Sequence, residues 1–426
     1  MIVVYTHQEP PETIASSIFL VGPSPRSGDV ASWRPAAIAE LEAAGFDGVV
    51  FVPEAAPGAD PDEVYRARWA EAVTWETRCL RIADVILAWV PRDLETMPGF
   101  TTNVELGDWY PSGKVVLGCP PEAHGNRYIV RRAADQGVPV LDTLSDTVTT
   151  ALRLLGAPAP RSGGERTVPL MVWRTSHFQS WYAGQRLQGN TLLDTELDWT
   201  FRVGPGACSV FFFALRASIH VAAEGRVKSE VVISRPDISA VVLYRRGETL
   251  DDARVVLVRE FRASVSNADG FVWEIPGGSS PKGTESPSAV AAQECAEETG
   301  LDLDPVRFST VGSRQVAATT STHRAYVMSA ELSDSEMDAL AEEAFSGAFH
   351  GVAADTERTY VEVVTVRDIR TRELVDWSNL GMILHVLAER TRPRAERLAG
   401  VLLADLCSAE SVGGSEPEGS LTSELL

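Results

Sequence analysis

The sequence predicts an α/β chain of two domains: an N-terminal doubly wound parallel sheet, then a C-terminal α+β domain with a mixed sheet. Three observations carry this. The chain has 426 residues, and about 150 residues per domain suggests two or three domains. Up to Leu155, buried strand runs alternate with helical spacing, the pattern of a parallel sheet with helices on both faces. Beyond it, β-branched and aromatic runs crowd together around few helices.

In the first block, Ser17 to Val21 is an apolar strand ending in Gly22-Pro23. Ala36 to Ala44 has helical spacing, closed by Gly45, and Gly48 to Val52 is a buried strand. Arg68 to Ile82 reads as a helix, Asp84 to Val90 as a strand, Val104 as the start of a further helix, and Lys114 to Leu117 as another strand. Ligands of such sheets sit at the carboxyl ends of the strands. The Gly, Pro and Ser density of 156–166 marks a linker between a domain at 1–155 and one at 167–404. In the second block Val210 to Leu215, Val231 to Ser234, Ala240 to Tyr244 and Val255 to Val258 read as strands. A helix is predicted from Pro287 to Thr299, with Ser286 as N-cap, proline in the first turn and Gly300 at the C-terminal cap. Strands follow near His323 to Ser329 and Tyr360 to Val366, then a helix from about Leu380 to Arg390. Residues 405–426 are acidic and rich in Gly and Ser, and read as a disordered tail.

Composition narrows function. Lys and Arg number 38 against 59 Asp and Glu, a formal charge of −21. A nucleic-acid polymer is a poor partner for such a chain, because neutralising a phosphate backbone needs clustered cations. A small anionic substrate fits if a metal supplies local positive charge. Lys114, Lys228 and Lys282 are the lysines, and none follows a phosphate-binding glycine loop. The five cysteines are scattered, which argues against a disulfide framework or zinc site and for a reducing cytoplasm. The first residues lack a signal-peptide pattern, and the most apolar run, Cys208 to Ala223, is interrupted by Arg216 and His220. No membrane association is expected.

The sharpest signal is Gly277 to Leu301. On a helix, Glu294, Glu297 and Glu298 fall on one face within a turn, where like charges repel. Clustered carboxylates are what a hard, oxygen-seeking cation such as Mg²⁺ requires. The glycine turn before the helix, at Gly277 and Gly278, lets backbone approach a phosphate. This stretch resembles the Nudix box: Glu285 fills the first glutamate and Glu294 to Leu301 reads E-C-A-E-E-T-G-L. Gln293 stands where that family has arginine, and the loop from Gly278 to Glu285 is one residue longer. The resemblance implies Mg²⁺, with Mn²⁺ as substitute, on Glu294, Glu297 and Glu298, supported by Glu285. V-V-L-V-R-E-F-R (Val255 to Arg262) and F-V-W-E-I-P-G-G (Phe271 to Gly278) resemble the ADP-ribose pyrophosphatase branch. There Arg262 would contact phosphate or ribose, and Glu274 would be a substrate-side carboxylate. Glu357 is the candidate general base, with Glu362 competing.

Ser17 to Leu155 resembles the nucleoside 2-deoxyribosyltransferase-like family. The carrying segments are I-F-L-V-G-P from Ile18, S-W-R-P-A from Ser32, W-E at Trp75-Glu76, A-D-V-I-L-A-W-V-P-R from Ala83 and T-T-N-V-E-L-G from Thr101. Breaking an N-glycosidic bond builds positive charge at the anomeric carbon, which one carboxylate stabilises or attacks while a second carboxyl protonates the leaving base. The resemblance implies Glu105 as nucleophile and Glu76 as acid/base, with Arg92 and Asn103 on sugar or phosphate and Gly22 and Pro23 as pocket floor. A further family Asp is replaced by Gly99. That family often assembles, which implies a homo-oligomer through this domain. The expected function is Mg²⁺-dependent cleavage of a nucleoside diphosphate joined to another group, coupled to binding or cleavage of a nucleoside N-glycosidic bond. A nucleotide sensor and a damaged-nucleotide clean-up enzyme are the alternatives.

Overall fold

The computed structural model describes residues 1–26, 29–65, 67–204, 209–279, 286–352 and 357–391. They divide into two compact units, Met1–Asp237 with Gln315–His323, and the remainder from Ile238 onward.

The first unit is built on six parallel strands: β1 (Ile2–Tyr5), β3 (Ser17–Val21), β4 (Val49–Val52), β5 (Val85–Trp89), β6 (Val115–Gly118) and β7 (Val140–Leu141). Their order is β1-β4-β3-β5-β6-β7. The chain leaves β3 to one side for β4 and returns to the other for β5, so a topological switch point opens at the carboxyl ends of β3 and β5. Strands β3, β4 and β5 are buried along their whole length, which explains runs such as V-V-F-V that lack alternation. Helices α1 (Arg34–Ala43), α2 (Pro61–Tyr65), α3 (Trp69–Ile82), α4 (Phe100–Trp109), α5 (Arg127–Asp135) and α6 (Leu144–Leu155) follow in chain order. Two cores result, one on each sheet face, around Phe19, Phe51 and Trp75 and around Leu20, Trp33 and Leu87. Helix α4 begins four residues before the expected Val104, because Gly99 turns the chain at φ +60°.

Residues 156–166, expected as a linker, are packed instead. Arg161 is buried and meets the Asp84 carboxylate through two bonds of 2.7 Å. β8 (Arg161–Ser162) pairs with β2 (Thr13–Ile14). A Pro- and Gly-rich composition marks a bend, but one buried ion pair is enough to make the bend part of a core. Helices α7 (Leu170–Trp173) and α8 (Ser176–Leu187) then pack on an antiparallel sheet of β9 (Thr191–Val203), β10 (Ser209–Val221) and β11 (Arg226–Ser234). These strands belong to the first unit.

The second unit holds a mixed sheet of β12 (Ile238–Arg245), β13 (Arg254–Phe261), β14 (Phe271–Glu274), β15 (Gly277–Gly278), β16 (Ser309–Gln315), β17 (Arg324–Glu331) and β18 (Tyr360–Thr365). β12 runs parallel to β17 and antiparallel to β13 and β15. Helices α9 (Pro287–Thr299), α10 (Asp334–Ser346), α11 (Val366–Thr371) and α12 (Trp377–Thr391) flank it. Among the described residues no helix is long and apolar enough to cross a membrane. Glu285 and the expected tail at 405–426 lie outside the described residues.

Candidate active sites

In the second unit, Ser286 Oγ accepts from the Ala289 amide at 3.2 Å and starts α9, which ends at Gly300 with φ +69°. The inward face is Val290, Ala291 and Cys295. One turn further on, the same face carries Glu298 into the interior, leaving it 3% exposed. Its Oε2 accepts from the Gly277 amide at 3.0 Å. Glu294 stands over Gly278, where an added Cβ would lie 2.3 Å from Glu294 Oε1, so any larger residue there would displace the Glu294 carboxylate. Glu357 arrives on the segment before β18. That segment is held to α9 by Gly351 N donating to Glu297 O (2.8 Å) and Thr359 Oγ1 donating to Glu298 O (2.8 Å). Glu362 faces elsewhere, 3.6 Å from Arg259.

Arg262 lies between two carboxylates, with Nη2 2.9 Å from Glu274 Oε1 and 2.8 Å from Glu260 Oε2. Glu260 is the residue sequence reasoning missed. It sits in the R-E-F-R run beside Arg262, and only the β13–β14 pairing shows that it shares a face with Glu274. Burial pushes the Glu298 carboxyl well above the usual range; the Gly277 amide opposes this, and the charges of Glu294, Glu357 and Glu274 add to it. Glu260 is raised by burial too, with Arg262 opposing. Gln293 Nε2 donates to Glu297 Oε1 at 2.9 Å, so the glutamine orients a neighbouring carboxylate without adding charge.

The donor set is oxygen only and carries excess negative charge, the chemistry that suits Mg²⁺ or Mn²⁺. Among the described residues no three carboxylate, histidine or cysteine side chains stand as a ready ligand cage.

In the first unit, the strand ends at the switch point converge on Arg34, which is 2% exposed. Its guanidinium donates to Glu54 Oε1 (2.7 Å), Ser24 Oγ (3.0 Å), Gly22 O (2.7 Å) and Leu20 O (3.3 Å). Gly22 is wedged against Trp89 O and the Trp33 ring, which leaves no room for a Cβ. Pro23 O accepts from Trp33 Nε1 at 3.1 Å. Together Gly22 and Pro23 form a fixed floor.

Glu76 on α3 and Glu105 on α4 are half-buried, and Glu76 senses the Glu105 charge. Burial, then the Glu105 charge, pushes Glu76 up to about 7, with Arg34 opposing. Burial raises Glu105 as well, again opposed by Arg34. Tyr65, whose hydroxyl lies 3.0 Å from Thr6 Oγ1, is pushed up to about 12 by burial despite that bond. Arg34, Glu54 and Tyr65 were not singled out in the sequence. The signal for Glu54 was there, a carboxylate two residues beyond a buried strand. Arg92 is buried and donates to Asn103 Oδ1 at 2.5 Å.

Residues 15–123 match the family model described as nucleoside 2-deoxyribosyltransferase like. Residues 234–378 match that of the NUDIX domain. No curated protein matches the sequence. Among solved structures, one described as an ADP compounds hydrolase is similar at 14% identity and TM-score 0.31, covering 47% of this chain and 92% of that one. The chain thus carries a region similar to nucleoside 2-deoxyribosyltransferase-like domains, followed by a region that matches the NUDIX domain.

Proposed function

We propose that the second unit hydrolyses the diphosphate bridge of a nucleoside diphosphate joined to another group, with ADP-ribose as the nearest chemical type. The observation that carries this is Glu298, buried and held by the Gly277 amide among Glu294, Glu357 and Glu274. A glycine turn that can admit a phosphate and an excess of carboxylate meet at one place. Glu294, Glu297 and Glu298 would hold Mg²⁺, with Glu285 supporting; the ion supplies positive charge to the diphosphate. Water oxygen attacks phosphorus, the bridging P–O bond breaks with its electron pair leaving on the departing phosphate, and Glu357 takes the proton. Arg262 exchanges one of its two carboxylates for a phosphate oxygen, and Glu274 keeps it oriented.

The first unit binds a nucleoside and cleaves its N-glycosidic bond. Glu105 faces the anomeric carbon, and Glu76, which retains its proton to about neutral pH, donates it to the leaving base. Arg92 and Asn103 position the sugar. The two activities would act in sequence on one molecule, base release first and diphosphate cleavage second. A second reading, a nucleotide sensor without turnover, is favoured by Gly99, which stands where the resembled family has Asp.

One mass-spectrometric assay tests both. The purified chain with Mg²⁺ meets nucleosides, oxidised nucleotides, NAD and ADP-ribose beside Glu298→Gln and Glu105→Ala. Phosphate-containing fragments lost only in the first variant, and free base lost only in the second, are expected. Tight binding without any product would replace both activities by the sensor.

A further inference from the structure

We propose that His350 is a positioning residue of the second unit: it fixes the backbone that presents Glu357, and so holds that carboxylate toward the Glu298 cluster. The inference deepens the hydrolase reading and rests on it, with Glu357 as the base.

The end of α10 puts His350 in place. The helix stops at Ser346, and Gly347, at φ +71°, turns the chain back. His350 thereby returns to the last turn of α10, with Nε2 2.9 Å from Glu343 Oε1. The half-buried ring also lies against Gly300, the residue that ends α9. An added Cβ at Gly300 would sit 2.5 Å from His350 Cε1 and 3.0 Å from Nδ1. Glycine is thus required there twice, for its φ of +69° and for the room it leaves the imidazole. One side chain touches the ends of both helices.

The backbone of His350 is engaged as well. Its amide donates to Thr359 O at 2.9 Å, and its carbonyl accepts from Thr359 N at 3.0 Å, so the two ends of the segment that carries Glu357 are paired. Phe349 and Tyr360 extend the pairing, with ring centroids 6.4 Å apart.

Glu357 folds onto the residues that follow His350. An added Cβ at Gly351, φ +113°, would lie 2.7 Å from Glu357 O and 3.1 Å from its Cγ. Val352 N donates toward Glu357 Oε2 at 3.5 Å. From there the Glu357 charge acts on both Glu298 and Glu260. The path is short: Glu343 to His350, two peptide units to Val352, and Val352 to the carboxylate. A general base works only within reach of the proton it takes, and a displacement of about 1 Å can cost about a hundred-fold in rate. His350 takes no proton itself; it acts through Glu357.

The test is steady-state hydrolysis of ADP-ribose with Mg²⁺ by the full chain. Wild type is compared with His350→Ala, His350→Gln, Glu357→Gln and the double variant His350→Ala with Glu357→Gln. His350→Ala should lower kcat about ten- to a hundred-fold, with KM within about two-fold of wild type. His350→Gln, whose amide nitrogen can stand where Nε2 faces Glu343, should recover most of that loss. In the Glu357→Gln background His350→Ala should change kcat no further, because the base it positions is gone. A merely structural role would lower kcat by the same factor with or without Glu357. That outcome, or a wild-type kcat in His350→Ala, overturns the proposal. If His350→Ala fails to fold by circular dichroism, Glu343→Ala takes its place in the same cycle, with the same non-additivity expected. Glu357→Gln with the kcat of wild type overturns the base and the role of His350 together, leaving diphosphate cleavage standing. A wild type that leaves ADP-ribose intact overturns the hydrolase reading as well.

Discussion

The two carboxylate clusters differ in how their charge is balanced. In the first unit, Glu76 and Glu105 share the field of a buried arginine, Arg34, that is itself tied to Glu54 and three further oxygens. In the second, Arg262 faces Glu260 and Glu274, while the charges of Glu294, Glu357 and Glu274 crowd around the buried Glu298. A pair of carboxylates with one arginine can be balanced by a shared proton, which is the requirement for acid and nucleophile chemistry. A larger cluster is balanced in part by the proton that Glu298 retains, and in the proposed function a cation from outside the chain takes that proton's place. In the proposed function the same side chain, glutamate, does proton work in one unit and cation work in the other.

The comparison breaks if the two sites cannot be silenced separately. Glu298→Gln is expected to lower kcat for diphosphate cleavage by about 10²–10⁴-fold and leave base release untouched in steady-state assays; Glu105→Ala should do the reverse. A single variant that removes both products would mean one site, not two.

The two arginines sharpen it on stability. Arg34→Met strands Glu54 and several buried acceptors, and should cost about 3–5 kcal/mol in urea denaturation. Arg262→Met removes a guanidinium that is 43% exposed, and should cost at most about 1 kcal/mol.

Proton balance gives the next test. The folded chain holds the Glu76 proton more tightly than the unfolded chain does. Stability of the first unit should therefore fall as pH rises from the ordinary glutamate value to about 7, and level off above it. Glu76→Gln should reduce that slope in thermal melts, leaving the part that the raised Glu105 contributes. By NMR titration, Glu105→Gln should lower the Glu76 midpoint yet leave it elevated, because burial is the larger cause. In the second unit the raised Glu298 carboxyl must lose its proton to hold a cation, so calorimetric Mg²⁺ affinity should rise with pH.

The smallest effect concerns Gln293. Its bond to Glu297 is one exposed hydrogen bond, and Gln293→Ala should slow diphosphate cleavage about two- to ten-fold. A loss as large as that of Glu298→Gln would show that the glutamine does more than orient its neighbour.

Much of this was legible in local sequence. Helix α9 runs from Pro287 to Thr299 as its caps dictate, since Ser286, Pro287 and Gly300 act through bonds and dihedrals within a few residues. The alternation of strand and helix that marks the first sheet is local as well. What was not legible depends on distant partners. Three glutamates on one helix turn do not tell which of them is buried; only the β15 turn, brought against α9 by pairing with β12, shows Glu298 to be the buried one. Arg161 sat in a linker-like stretch, and its role follows from Asp84, far away in the chain. Glu260 joined the site through β13–β14 register, which one residue of slip would reverse.

By itself, then, the sequence determined the helix caps, the strand runs, the acidic α9 and the two family resemblances, because each depends on neighbours within a turn or a strand. Tertiary structure decided which glutamates are buried and which arginine balances them. Burial and charge balance are set by groups far apart in the chain, and desolvation exists only once they have come together.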